Sequence, residues 1–204
     1  NSPDLSPVST TSLKLEEGYY KQSAAAEVFL YEDHLNNEKR YIYHGNDGSS
    51  MPWNDTAQLD YLNTDVREQM IETILTILNH FPLIRFDAAM ALSKKHFQRL
   101  WYPLPNSTEQ CIPTREKFTM TAEEFEKALP QEFWRQVVDR VEAENPDSLL
   151  MAEAFWYMEN YFIKELGMHR VYNIAFMQSL RDEDNETYQS ILQNALETDP
   201  QLLG

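Results

Sequence analysis

The sequence predicts an α/β fold on a parallel sheet, as part of a (β/α)8 barrel or as a small α/β sheet. Three observations predict it. The runs Leu83-Ile84-Arg85-Phe86 and Leu149-Leu150-Met151-Ala152 read as short buried strands, because parallel strands covered on both faces are nearly continuous in apolar residues. Long helical patterns separate these runs, and strands joined across helices imply right-handed crossovers. About three strands of this kind can be counted, and 204 residues fall short of the roughly 250 of a complete eightfold barrel.

Taken in order, residues 1–12 are rich in Ser, Thr and Pro and read as a loose end. Residues 25–31 and 40–44 are apolar and aromatic on either side of Leu35-Asn36-Asn37-Glu38, which reads as a β-hairpin. Gly45 to Ser50 is turn chemistry throughout. Residues 64–80 form a helix, with Val66, Met70, Ile74, Ile77, Leu78 and Phe81 at helical spacing and Thr64 or Asp65 as its cap. Pro82 stops it and the Asp87 strand follows. A helix from Lys94 to Trp101 comes next, then a proline-enforced loop around Cys111. Thr121 and Glu124 make a capping box, and Pro130 either kinks the following helix or starts a second one. After the second strand come helical patterns at 158–166 and 184–196. The apolar stretch 171–176 lies between them and could be strand or helix. The domain reading is an irregular, partly β extension over 1–62 and the partial barrel over 63–204.

Composition narrows the function classes. Apolar residues make up 42% and aromatics 12%, enough for a packed core. The net charge is −16 with no basic stripe, so nucleic acid and anionic membranes are poor partners, whereas a neutral ligand is not repelled. A single cysteine excludes an internal disulfide framework and a cysteine-rich zinc site. Only 5 glycines, and no glycine-rich phosphate loop, argue against a nucleotide site. This segment shows no membrane span and no signal-peptide pattern. The compartment is left open, with the cytoplasm favoured.

The chemistry concentrates on two strand ends. Asp87 and Glu153 each sit at the carboxyl end of a predicted strand, and in a parallel sheet those ends share one edge. Two facing carboxylates are the equipment for glycosidic bond cleavage, one attacking the anomeric carbon and the other serving the leaving oxygen and then water. Arg85 projects to the same side as Asp87, two residues away, and would hold and orient that carboxylate. Glu153 is followed by Ala154, Phe155 and Trp156, an apolar surround suited to an acid/base carboxyl. A structural ion pair at Arg85 and Asp87, with Glu153 as a mere helix cap, explains the same residues about equally well.

The resemblance that tips this balance lies in three ordered motifs. Ile84-Arg85-Phe86-Asp87-Ala88-Ala89 resembles the R-x-D-x-A motif on the fourth barrel strand of the α-amylase family of glycoside hydrolases, family 13. Leu149-Leu150-Met151-Ala152-Glu153 resembles that family's fifth-strand motif, and Gln58-Leu59-Asp60-Tyr61-Leu62-Asn63 its short Q-x-D-x-N motif. The resemblance covers residues 58–153. It implies a partial (β/α)8 barrel of about strands four to six, with Asp87 as nucleophile, Glu153 as general acid/base and Arg85 as the nucleophile's partner. It also implies a retaining mechanism on α-glucosidic bonds, with an α-glucan oligosaccharide or polysaccharide as the partner. Met90 and Ala91 stand where many members carry an acceptor-site Lys-His; Lys94, Lys95 and His96 come too late to replace it. The family's third-strand and seventh-strand motifs do not occur here. The chain therefore reads as the middle of a longer enzyme, inactive alone, with the rest of the barrel supplied by the parent chain. The alternatives are a transglycosylase of the same family and a non-catalytic α-glucan-binding or scaffold domain.

Other candidates rank lower. Trp156 has the best claim of the four tryptophans to a sugar subsite because it follows Glu153 by three residues, whereas Trp134 sits in a helical core pattern. Asn54, Asp55 and Asp60 offer oxygen ligands for calcium without matching a calcium-loop spacing, so no cofactor is expected in this segment and calcium belongs, if anywhere, to the parent. The run Arg181 to Glu186 reads as a solvated helix start.

Overall fold

The Asp87 stretch forms a strand, and its surroundings set the architecture. A computed structural model of the chain describes residues 27–33, 38–49, 53, 55–155, 158–172 and 174–198. The regular elements are β1 (Val28–Asp33), β2 (Glu38–Tyr43), α1 (Thr64–Leu78), β3 (Leu83–Phe86), α2 (Lys94–Trp101), α3 (Ala122–Ala128), α4 (Phe133–Glu144), β4 (Leu149–Ala152), β5 (Arg170–Val171), α5 (Ile174–Arg181) and α6 (Asn185–Thr198). They divide between two compact units. One takes the described residues up to Thr76 together with Ala91–Val137; the other takes Ile77–Met90 and the described residues from Val138 on.

In the first unit β1 and β2 pair antiparallel, with Val28 opposite Tyr43, as the hairpin reading requires. The expected Asn36-Asn37 turn lies outside the described residues, as does the loose end at 1–12. Gly45 then bridges Trp53, and a Cβ there would lie 2.5 Å from the Thr56 hydroxyl and 2.8 Å from the Trp53 ring, so only glycine fits. Asn46 and Asp47 side chains accept from the backbone two residues on, which is the turn chemistry expected of this stretch.

Helix α1 forms as predicted, with two corrections. Its cap is Asn63 rather than Thr64 or Asp65: Asn63 Oδ1 accepts from the Asp65 N–H, and its carbonyl accepts from Arg67. Its buried stripe runs through Val66, Ile71, Ile74, Leu75 and Leu78. Met70 and Ile77 lie off that stripe, and Phe81, beyond the helix end, is 63% exposed. The expected stripe had mixed two faces of one 3.6-residue period.

The core of this unit is aromatic. Trp101 packs edge-on against Tyr43 at 5.4 Å, and Tyr61 meets Phe133 at 4.8 Å. Arg115, 1% exposed, lies among them. Its Nε donates to the Trp101 carbonyl, and its guanidinium stands over the rings of Phe118, Tyr102 and Tyr43 at 4.1, 5.1 and 5.5 Å. The Thr121–Glu124 capping box is present and starts α3. Pro130 ends that helix, and α4 restarts at Phe133, the second of the two outcomes expected of this proline.

The second unit holds a three-stranded parallel sheet in the order β3-β4-β5. Leu83 pairs with Leu149 and Phe86 with Ala152; Ala152 also pairs with Val171. β4 is central, and its Leu150 and Ala152 are fully buried. β3 departs from expectation: among the described residues it has a partner on one side only, and Leu83 is 51% exposed. An apolar run identifies a strand but does not tell how many neighbours cover it. The ambiguous stretch at 171–176 is both things in turn, since β5 ends at Val171 and α5 begins at Ile174. The helix expected at 158–166 is a single π-helical turn, Tyr161–Glu165, followed by Gly167 at φ +80°, a conformation that favours glycine after a helix end. Asp184 caps α6 through bonds to Thr187, so the acidic run is a helix start.

Candidate active site

The site grows out of the parallel register. Asp87 is the residue after β3 and Glu153 the residue after β4, so the Phe86–Ala152 pairing sets the two carboxylates side by side at one sheet edge. The Glu153 N–H donates to the Phe86 carbonyl at 2.9 Å and continues the ladder up to this edge. Arg85 lies between them. Its Nη2 is 2.9 Å from Asp87 Oδ1 and 3.6 Å from Glu153 Oε2, so these two oxygens are at most about 6.5 Å apart, the sum of the two contacts. The guanidinium thus holds both acids at once.

The two carboxylates differ in setting. The Asp87 side chain is 79% exposed, whereas Glu153 is largely shielded. Glu153 Oε2 also accepts from the Ala88 N–H at 2.9 Å. That donor is aimed by a backbone twist: Ala88 adopts φ +44°, the left-handed region that non-glycine residues rarely occupy. The left-handed conformation costs an alanine roughly 1–2 kcal/mol, and glycine gives back about 0.5–1 kcal/mol through its freer unfolded chain. Ala88→Gly is therefore expected to stabilise the fold by about 0.5–1 kcal/mol, read as a higher urea midpoint at unchanged slope. A lower midpoint would show that position 88 is not strained.

The apolar surround expected for Glu153 is only partly there. Ala154 is fully buried, Phe155 lines the adjacent pocket, and Trp156 lies outside the described residues. Two donors, Arg85 and Ala88 N–H, face the carboxylate instead.

Tyr172 completes the site and was not singled out by the sequence. Its ring carries the Arg85 guanidinium at 5.0 Å, and its N–H donates to the Ala152 carbonyl, which fixes it beside the sheet edge. It had a signal: like Asp87 and Glu153, Tyr172 follows the last residue of a parallel strand. Arg85, Glu153, Phe155 and Tyr172 form one side of a pocket of about 490 Å³ within the second unit.

The remaining candidates have local uses. Asp60 Oδ1 accepts from the Leu62 N–H and the Tyr102 hydroxyl, and Asn63 caps α1, so two polar residues of the short 58–63 motif serve turn and cap. Asn54 lies outside the described residues, and among those described no group of three or more His, Cys, Asp or Glu is placed to hold a metal. Lys94 Nζ reaches Glu126 and the Pro130 carbonyl. His96 is held between the Asp47 carbonyl and Arg99, and burial, aided by Arg99, keeps its imidazole below the ordinary histidine value. Met90 is fully buried, and burial raises the Cys111 thiol away from thiolate reactivity. His169 Nδ1 accepts from the Leu150 N–H and so serves the sheet.

No family model and no curated protein matches the chain. Among solved structures it is similar to the α-amylase from H. orenii, with a TM-score of 0.42 and 16% identity over 76% of this chain and 26% of that one. It is likewise similar to an enzyme described as family GH13_31, with a TM-score of 0.42 and 16% identity over 72% of this chain and 26% of that one. The chain thus spans about a quarter of the length of each structure, and its likeness to α-amylase and family GH13 structures is weak.

Proposed function

We propose that this chain carries two catalytic carboxylates of a retaining α-glucan-active enzyme of the α-amylase kind, as the central part of a (β/α)8 barrel completed by further strands of the parent protein. The observation that carries the proposal is the placement of Asp87 and Glu153 at neighbouring ends of parallel strands, held by one arginine nitrogen. Their oxygens lie within about 6.5 Å. Retaining sites need roughly 5–5.5 Å and inverting sites about 6.5–9.5 Å. The R-x-D-x-A pattern around Asp87 points the same way.

The chemistry follows from that placement. An Asp87 oxygen attacks the anomeric carbon while the bond to the leaving oxygen breaks, and that oxygen takes the proton of the Glu153 carboxyl. The product is a glycosyl ester on Asp87. Glu153, now a carboxylate, removes a proton from water, which attacks the same carbon and releases Asp87. With a sugar hydroxyl in place of water, the same two steps give transfer instead of hydrolysis. Arg85 keeps its charge throughout and orients the Asp87 carboxylate.

Trapping tests this directly. The parent protein treated with a 5-fluoro-α-glucosyl fluoride should accumulate an adduct on the peptide containing Asp87, found by mass spectrometry, and Asp87→Asn should prevent it. A second reading rests on the Arg85 contacts: an arginine satisfied by both acids also describes a structural ion-pair cluster in a non-catalytic glucan-binding domain. On that reading no adduct forms, and Asp87→Asn leaves turnover unchanged.

A further inference from the structure

We infer that the pocket beside Glu153 receives an apolar leaving group, an aromatic one by preference, rather than a second glucose unit. The inference rests on the reading of Asp87 and Glu153 as a nucleophile and acid/base pair, and it deepens that reading by naming the class of substrate.

Position comes first. The pocket lining includes Glu153 and Arg85 but not Asp87. In a double displacement the acid/base carboxyl faces the leaving oxygen, on the side of the sugar away from the nucleophile. Space that touches Glu153 and not Asp87 therefore belongs to the leaving group.

The lining chemistry comes second. Across from the carboxylate the walls are Phe155, Ile174 and Met177, and Met177 keeps 52% of its surface exposed. On α5 only Gln178 and Arg181 bring hydrogen-bonding ends, and Arg181 is already paired with Asp182 at 2.8 Å. A glucose ring seated here would desolvate several hydroxyls against apolar walls with few partners to replace water. A phenyl or alkyl group loses no hydrogen bonds there, covers the exposed Met177, and gains sulfur–aromatic contact if it is a ring. About 490 Å³ is within the size of pockets that hold such groups.

The test measures binding of phenyl α-glucoside, methyl α-glucoside, maltose and phenol to the chain by calorimetry, with the methionine methyl signals followed by NMR. Phenyl α-glucoside should bind at least about tenfold tighter than methyl α-glucoside or maltose, which corresponds to about 1.4 kcal/mol, and should shift the Met177 methyl. Met177→Gln, at a half-exposed position that tolerates the change, should reduce that preference to about threefold or less. Three outcomes overturn the inference. If maltose binds as tightly as phenyl α-glucoside, the apolar assignment fails while the glycosidase reading stands. If phenol binds as tightly as phenyl α-glucoside, no sugar is recognised beside the pocket, and the glycosidase reading fails with it. If phenyl α-glucoside does not bind, or its preference survives Met177→Gln, the pocket is not the site.

Discussion

Glu153→Gln is expected to lower kcat of the parent protein by about 10²–10⁴-fold on an α-glucoside with a poor leaving group, and to spare one whose leaving group departs unaided, such as a glucosyl fluoride. Glutamine keeps the shape of glutamate, and its carbonyl oxygen can still accept from the Ala88 N–H. What it loses is the transferable proton. The loss should therefore scale with how much the leaving oxygen needs that proton, which a purely structural role for Glu153 would not produce. Measuring kcat across leaving groups of graded acidity checks it. An equal loss for every substrate, or no loss at all, would remove Glu153 from the acid/base role.

The second large effect concerns stability. Trp101→Ala should destabilise the fold by about 3–5 kcal/mol, the range for deleting a fully buried aromatic side chain, where lost burial adds to the cavity left behind. Trp101 ends α2 with 1% exposure, packs edge-on against Tyr43, and stands where Arg115 donates to its carbonyl. The carbonyl survives the substitution, but the indole that excludes water from the guanidinium and its rings does not. Urea unfolding monitored by far-ultraviolet circular dichroism gives the number. A loss under about 1 kcal/mol would mean that the aromatic cluster closes over the gap.

Particular residues show how far the sequence could be read. The strand ending at Asp87, its counterpart ending at Glu153, helix α2 and the Thr121 capping box were legible because each rests on local chemistry: apolar run, periodicity, cap. The Arg85–Asp87 pairing was legible too, since two residues apart in a strand means one face. What escaped depends on neighbours distant in sequence. Leu83 looked like a core residue, but it lies on a strand with one partner. Arg115 looked like an ordinary surface arginine in a loop, and only its three rings explain its burial. Tyr172 sat in a stretch whose periodicity fits strand and helix alike, because the chain changes from one to the other within it. The cap at Asn63 was missed for a local reason: Asn63, Thr64 and Asp65 are all good caps, and composition does not choose among them.

The Ala88–Glu153 hydrogen bond joins residues 65 apart in the chain. Closing a loop of that length costs about 4 kcal/mol by the (3/2)RT ln n term alone, far more than one hydrogen bond returns. The bond forms only once the β3–β4 ladder has already brought its ends together. The order of events in folding is thereby constrained: the helices between the two strands must be gathered before either carboxylate acquires its neighbour. The reactive edge is thus among the last features of the chain to exist, and among the first to disappear when the parallel pair opens.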